Sequence, residues 1–100
     1  MDYAAILAAD RRLAILRLLK EGGGEAGESV LEKGLHMLGH RAGCDRDQVR
    51  ADLRALEDRA CLVISLFQDK YMVAKITRRG VSVAEGIVHV EGVARPAMGL

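Results

Sequence analysis

Aromatic side chains are nearly absent from this chain of 100 residues, which has two Tyr, one Phe and no Trp. Half of its residues are hydrophobic, so any core must be built from Leu, Ile, Val, Ala and Met. A chain of this length buries roughly two-thirds of its unfolded surface, which supports one core and one domain, 1–100, without staples. The two cysteines, Cys44 and Cys61, are far apart and form no C-x-x-C pair. That excludes a secreted disulfide scaffold and implies free thiols in a reducing cytoplasm. No run approaches the ~18 apolar residues of a membrane span. The opening "MDYAAILAADRR" lacks a positive n-region, so no signal peptide is expected. An excess of one charge is missing too. The net charge is +1, and composition alone announces neither a nucleic-acid nor a membrane partner.

What is present is helical periodicity. Residues 2–20 read as a first helix, with Ala9, Leu13, Leu16 and Lys20 on one stripe, Ile6 thickening it, and Gly22, Gly23 and Gly24 ending it. "GGGEAGE" is expected to be a loop. No Gly-Lys-Ser/Thr closes it into a phosphate-binding pattern. "SVLEKGLHMLGH" reads as a second helix with a Ser29–Glu32 capping box, a buried stripe of Leu31, Leu35 and Leu38, and Gly39 or Gly43 at its end. "DRDQVRADLRALEDR" reads as a third. Asp45 is its N-cap and Gln48 the capping-box partner. Val49, Leu53, Leu56 and Ala60 form its core face. "CLVISLF" and "YMVAKIT", separated only by Gln68, Asp69 and Lys70, give a hairpin signal. Thr77 is placed to cap a short helix ending near Gly86. An apolar run, Ile87 to Val90, follows, and the single proline, Pro96, breaks regularity after it.

Three helices, a two-stranded hairpin and a short C-terminal helix make an α+β chain in the order of a winged helix-turn-helix. "DQVRADLRALEDRACLV" resembles the reading helix and first wing strand of winged-helix regulators. "KITRRGVSVAEG" resembles their turn after the wing. The chain is similar to the ArsR-like group, especially the small winged-helix proteins of Mu-like prophages, over about residues 10–90. That resemblance implies a DNA-binding transcription regulator of phage type.

On the third helix Arg46, Arg50 and Arg54 stand four apart as a stripe beside Asp47, Ala51 and Asp58. Residues in the first half of such a helix touch base edges, and Arg suits guanine O6 and N7 as well as phosphate. Arg46, Asp47, Arg50 and Arg54 are therefore the expected base contacts. Lys70 and Lys75 are expected to reach phosphates. Replacing Arg50 or Arg54 by Ala is expected to leave the fold intact, since both project from the core face. The competing reading is a solvated helix face laced with ion pairs, in a module whose third helix or tail binds protein and not DNA. Acidic residues within that helix and the short "QDK" wing tip favour it.

His36, His40 and Cys44 follow one another at spacings of four, but Gly39 breaks the helix between them and no metal site is expected. No spacing suggests a nucleophile with its base, so an enzyme, a cofactor or a small-molecule substrate is not expected. The apolar opening turns "AAILAA" and the tail "IVHV" either cover each other or are covered by a second subunit. The resemblance favours a homodimer, in which two reading helices would stand about one DNA turn apart.

Overall fold

The computed structural model describes residues 2–97. Helix α1 spans Tyr3–Glu21, strand β1 Glu25–Gly27, helix α2 Glu28–Met37, helix α3 Arg46–Asp58, strands β2 Leu62–Phe67 and β3 Tyr71–Ile76, and helix α4 Arg78–Ala84. Among the described residues, four helices thus accompany one antiparallel sheet of three strands in the order β1-β3-β2.

Local signals fix most of these boundaries. Asp45 accepts the Gln48 N–H at 2.9 Å and starts α3. Thr77 accepts the Gly80 N–H at 3.0 Å and starts α4. Gly39 and Gly86, with φ of 95° and 80°, close α2 and α4 in the left-handed region that glycine enters most easily. The hairpin pairs Phe67 with Tyr71 and Leu62 with Ile76. Its tip turns on Gln68 and Asp69, both at positive φ, and the Lys70 N–H closes the turn on the Phe67 carbonyl at 3.1 Å. Such primed turns match the right-handed twist of the strands they join.

Three expectations require correction. The loop after α1 contains β1, which pairs with β3 in the register Glu25↔Lys75, Ala26↔Ala74 and Gly27↔Val73. Three residues are too few to show an alternation, so only the pairing defines this strand. The Ser29–Glu32 capping box does not form. The N-cap of α2 is Gly27, which makes no side-chain cap bond, because the helix starts as soon as the chain leaves the sheet. Leu38 and Ala60 are exposed. Both follow the last turn of their helices, where the helical face no longer applies.

The core joins Ile15, Leu16 and Leu19 of α1 to Leu31 and Leu35 of α2, and to Val49, Leu53 and Leu56 of α3. Cys61, Leu62, Met72, Ala74 and Val83 complete it from the hairpin and α4. The tail closes over α1: Val90 and Val93 are buried, and the Ala94 N–H donates to the Ala9 carbonyl at 3.1 Å. The opening turns and the tail therefore cover each other in part, although Ile6 and Ile87 stay exposed.

Gly80 marks the tightest approach. A Cβ there would lie 2.0 Å from the Cys61 carbonyl oxygen, which is itself held by the Thr77 N–H at 3.0 Å. Helix propensity alone would make Gly80→Ala stabilising by roughly 1 kcal/mol. The contact with fixed backbone reverses the sign, and a loss of about 3 kcal/mol is expected. Urea denaturation of the variant checks this; a gain in stability would show that the approach is not so close.

Candidate nucleic-acid interface

The sheet and α2 set the geometry of α3 through one side chain. Glu28 follows β1, where the ladder would next place it opposite Met72. The backbone turns into α2 instead, and the Glu28 carboxylate takes the Met72 N–H that a longer strand would have bonded. The carboxylate is 2% exposed. Arg50 donates to it through Nε at 2.7 Å and Nη2 at 3.1 Å, and Arg46 through Nη1 at 3.4 Å. Arg46 Nε also reaches Glu32 at 2.8 Å, and Arg50 Nη2 reaches the Lys70 carbonyl at 3.1 Å. One buried acid therefore fixes α3 against α2 and against the hairpin tip. Its place in the first turn of α2 is also favoured by the helix dipole.

A second buried carboxylate fixes α3 from its other side. Asp52, which the helical pattern leaves among surface acids, is fully buried. Arg11 donates to it at 2.7 and 3.4 Å, Arg12 at 3.3 Å, and Gln48 Nε2 at 3.4 Å. The capping-box role expected of the Gln48 side chain is thereby replaced by a bond one turn further along the helix.

The six residues singled out from the sequence fall into distinct environments. The side chains of Arg46 and Arg50 are 40% and 33% exposed and engaged with acids. Asp47 and Arg54 are exposed on the outer face of α3 together with Ala51 and Asp58. Among the described residues, no ion pair engages Arg54. Lys70 holds its ammonium 5.7 Å from the Tyr71 ring centroid at the hairpin tip. Lys75 is exposed on the outer sheet face, across from Glu25 and Val63. Val63, Leu66, Phe67 and Tyr71 are exposed on the same hairpin, so it is more apolar than cationic. Arg50 is consequently not the freely replaceable surface residue that its outward helical position implies. Its loss takes away two of the four hydrogen bonds that the buried Glu28 carboxylate accepts.

His36 Nε2 lies 2.7 Å from the Cys44 carbonyl, which occupies the ring within the turn before α3. Both cysteines are free and buried, and burial pushes both thiols up from their ordinary pKa. Among the described residues, no group of three His, Cys, Asp or Glu side chains is gathered to hold a metal ion. No helix among them is long and apolar enough to cross a membrane.

A small α+β protein, with α3 clamped at two buried carboxylates, is the class that these observations define. The chain is 41% identical over 91 residues to the uncharacterized protein gp26 of Escherichia phage Mu, covering 91% of this chain and 92% of that protein. It is 42% identical over 79 residues to an uncharacterized protein of Haemophilus influenzae, covering 79% of this chain and 76% of that one. The chain belongs to the family of phage Mu gp26. No family model and no solved structure matches it.

The clamp predicts an acid limb. Burial opposes ionisation of Glu28, but Arg50, the Met72 N–H and Arg46 outweigh it, so its pKa falls below the ordinary 4.5. A group with a depressed folded pKa stabilises fully above its unfolded pKa and loses that contribution as pH falls through the folded value. Stability from Glu28 is thus complete at neutral pH and drains away below about pH 4.5. Denaturant titrations from pH 7 to pH 3 are expected to show a decline that Glu28→Gln flattens. Arg50→Ala is expected to cost about 2–3 kcal/mol at pH 7. A parallel decline in wild type and Glu28→Gln would count against the clamp.

Proposed function

We propose that this chain is a winged-helix protein that binds duplex DNA through α3, as a cytoplasmic transcription regulator of phage type. The observation that carries the reading is the order helix, strand, helix, helix, hairpin with sheet order β1-β3-β2. In that arrangement the third helix is the one presented to a major groove, with the hairpin as the wing beside it. The similarity to a phage Mu protein supports the phage context. An ArsR-like relationship agrees with the same order of elements.

The Glu28 clamp leaves Arg46 and Arg50 usable. A guanidinium has five N–H donors, and the carboxylates occupy only part of each set. Each arginine can be held at a fixed angle by its acid and still turn its remaining donors to phosphate or to a base edge. Arg54, Lys70 and Lys75 supply the exposed cations around them. The reading expects a homodimer, with exposed Tyr3 and Ile87 as apolar surface for it, since Val90 and Val93 are already covered within one chain.

A second reading is favoured by the exposed apolar residues of the hairpin and by Asp47 and Asp58 on the outer face of α3. It makes the same fold a protein-binding module.

Fluorescence anisotropy with an unrelated duplex separates the two. Phosphate contacts release counterions, so DNA binding should weaken steeply with salt. Arg54→Ala is expected to lower the salt slope by about one unit while the protein stays folded, and Asp47→Ala to strengthen nonspecific binding. An absence of binding at low salt would transfer the assignment to the protein module.

A further inference from the structure

A groove of about 850 Å³ opens between the first turns of α1, the C-terminal end of α3 and the tail. Its floor is apolar and includes Ile6, Ala9 and Val90, and its rim carries Asp10, Asp58 and Glu91. All three carboxylates are in exposed residues, and among the described residues none accepts a hydrogen bond or joins an ion pair. Among the described residues, the one cation in the lining is Arg59, which keeps its charge and is held in place by backbone carbonyls. Its Nε donates to the Glu91 carbonyl at 2.7 Å and its Nη1 to the Ala55 carbonyl at 2.8 Å.

An acid in the last turn of α3 opposes the dipole, and the C-cap Arg59 meets that helix end with Nη1 on the Ala55 carbonyl. Among the described residues, the lining thus carries three carboxylates against the single guanidinium of Arg59, which leaves the groove with a net negative charge. A second copy is a poor occupant. A two-fold contact centred on the groove would set these acids against their own copies.

We propose that this groove docks a basic amphipathic helix of a partner protein, with apolar side chains on the Ile6–Ala9–Val90 floor and Lys or Arg on the rim. Helix-in-groove binding of this kind uses apolar anchors one turn apart for affinity and rim charges for encounter and specificity. The site lies about 18 Å along α3 from Arg46, counted at the helical rise. It is independent of the DNA reading, and both surfaces can be occupied together.

The test uses the full chain and a fluorescein-labelled amphipathic helical peptide of leucines and lysines. Anisotropy at low salt should report binding, and amide shifts should move around Ile6, Asp58 and Glu91. The Asp58→Asn, Glu91→Gln double variant, with an unchanged melting curve, should bind about three- to tenfold more weakly. Ile6→Arg, which places a cation in the groove at an exposed position, should abolish binding. A peptide with glutamate in place of lysine should not bind. Absence of binding, shifts centred elsewhere, or equal affinity for wild type and both variants would overturn the proposal. So would a dimer that Ile6→Arg dissociates, since the occupant would then be a second copy.

Discussion

Glu28 stands where a strand becomes a helix, almost wholly out of water. A carboxylate in that position is tolerable only if its charge is met on several sides. Met72 meets it from the sheet, Arg50 and Arg46 meet it from α3, and the first turn of α2 carries it. The orientation of α3 against the hairpin follows from this requirement. Asp52 does the same on the other side of the helix, with Arg11 and Arg12 brought from α1. The apolar core supplies most of the driving force for packing, but aliphatic side chains are forgiving about angle. The two buried acids restrict how α3 can turn about its own axis, and hence which residues it shows to solvent.

The charge pattern of the chain makes sense in that frame. The near balance of acids and bases is not a mixture spread evenly over the surface. Four arginines are bound to two buried carboxylates. The cations that remain most open around α3 and the hairpin are Arg54, Lys70 and Lys75, whereas Asp10, Asp58 and Glu91 collect around the groove at the opposite end of α3. A protein with so small a net charge can still present two surfaces of different sign, because patches decide encounter more than sums do.

Much of this architecture was legible in the sequence where the cause is local. The Asp45 and Thr77 caps, the Val49–Leu53–Leu56 face and the hairpin with its tip at Gln68, Asp69 and Lys70 all depend on residues close to each other in sequence. What could not be read depends on distant partners. β1 is defined only by β3, nearly fifty residues later in its register. The burial of Asp52 depends on arginines of α1, and that of Glu28 on a backbone amide of β3. The stripe of Arg46, Arg50 and Arg54 is present as its spacing implies. The pattern could not reveal that two of its three members are held by acids from α2. The tail gave a choice between covering α1 and joining a second subunit, and its burial over Ala9 takes up part of the first alternative.

Glu28 and Arg50 act as one unit that sets α3 against the sheet. A double-mutant cycle on folding stability, with Glu28→Ala, Arg50→Ala and the pair, measures that coupling directly. A coupling of about 1.5–3 kcal/mol at pH 7 is expected, with the double variant less destabilised than the sum of the two single variants. Additive losses, with a coupling below about 0.3 kcal/mol, would mean that the two side chains act independently and that α3 is oriented by the apolar core alone.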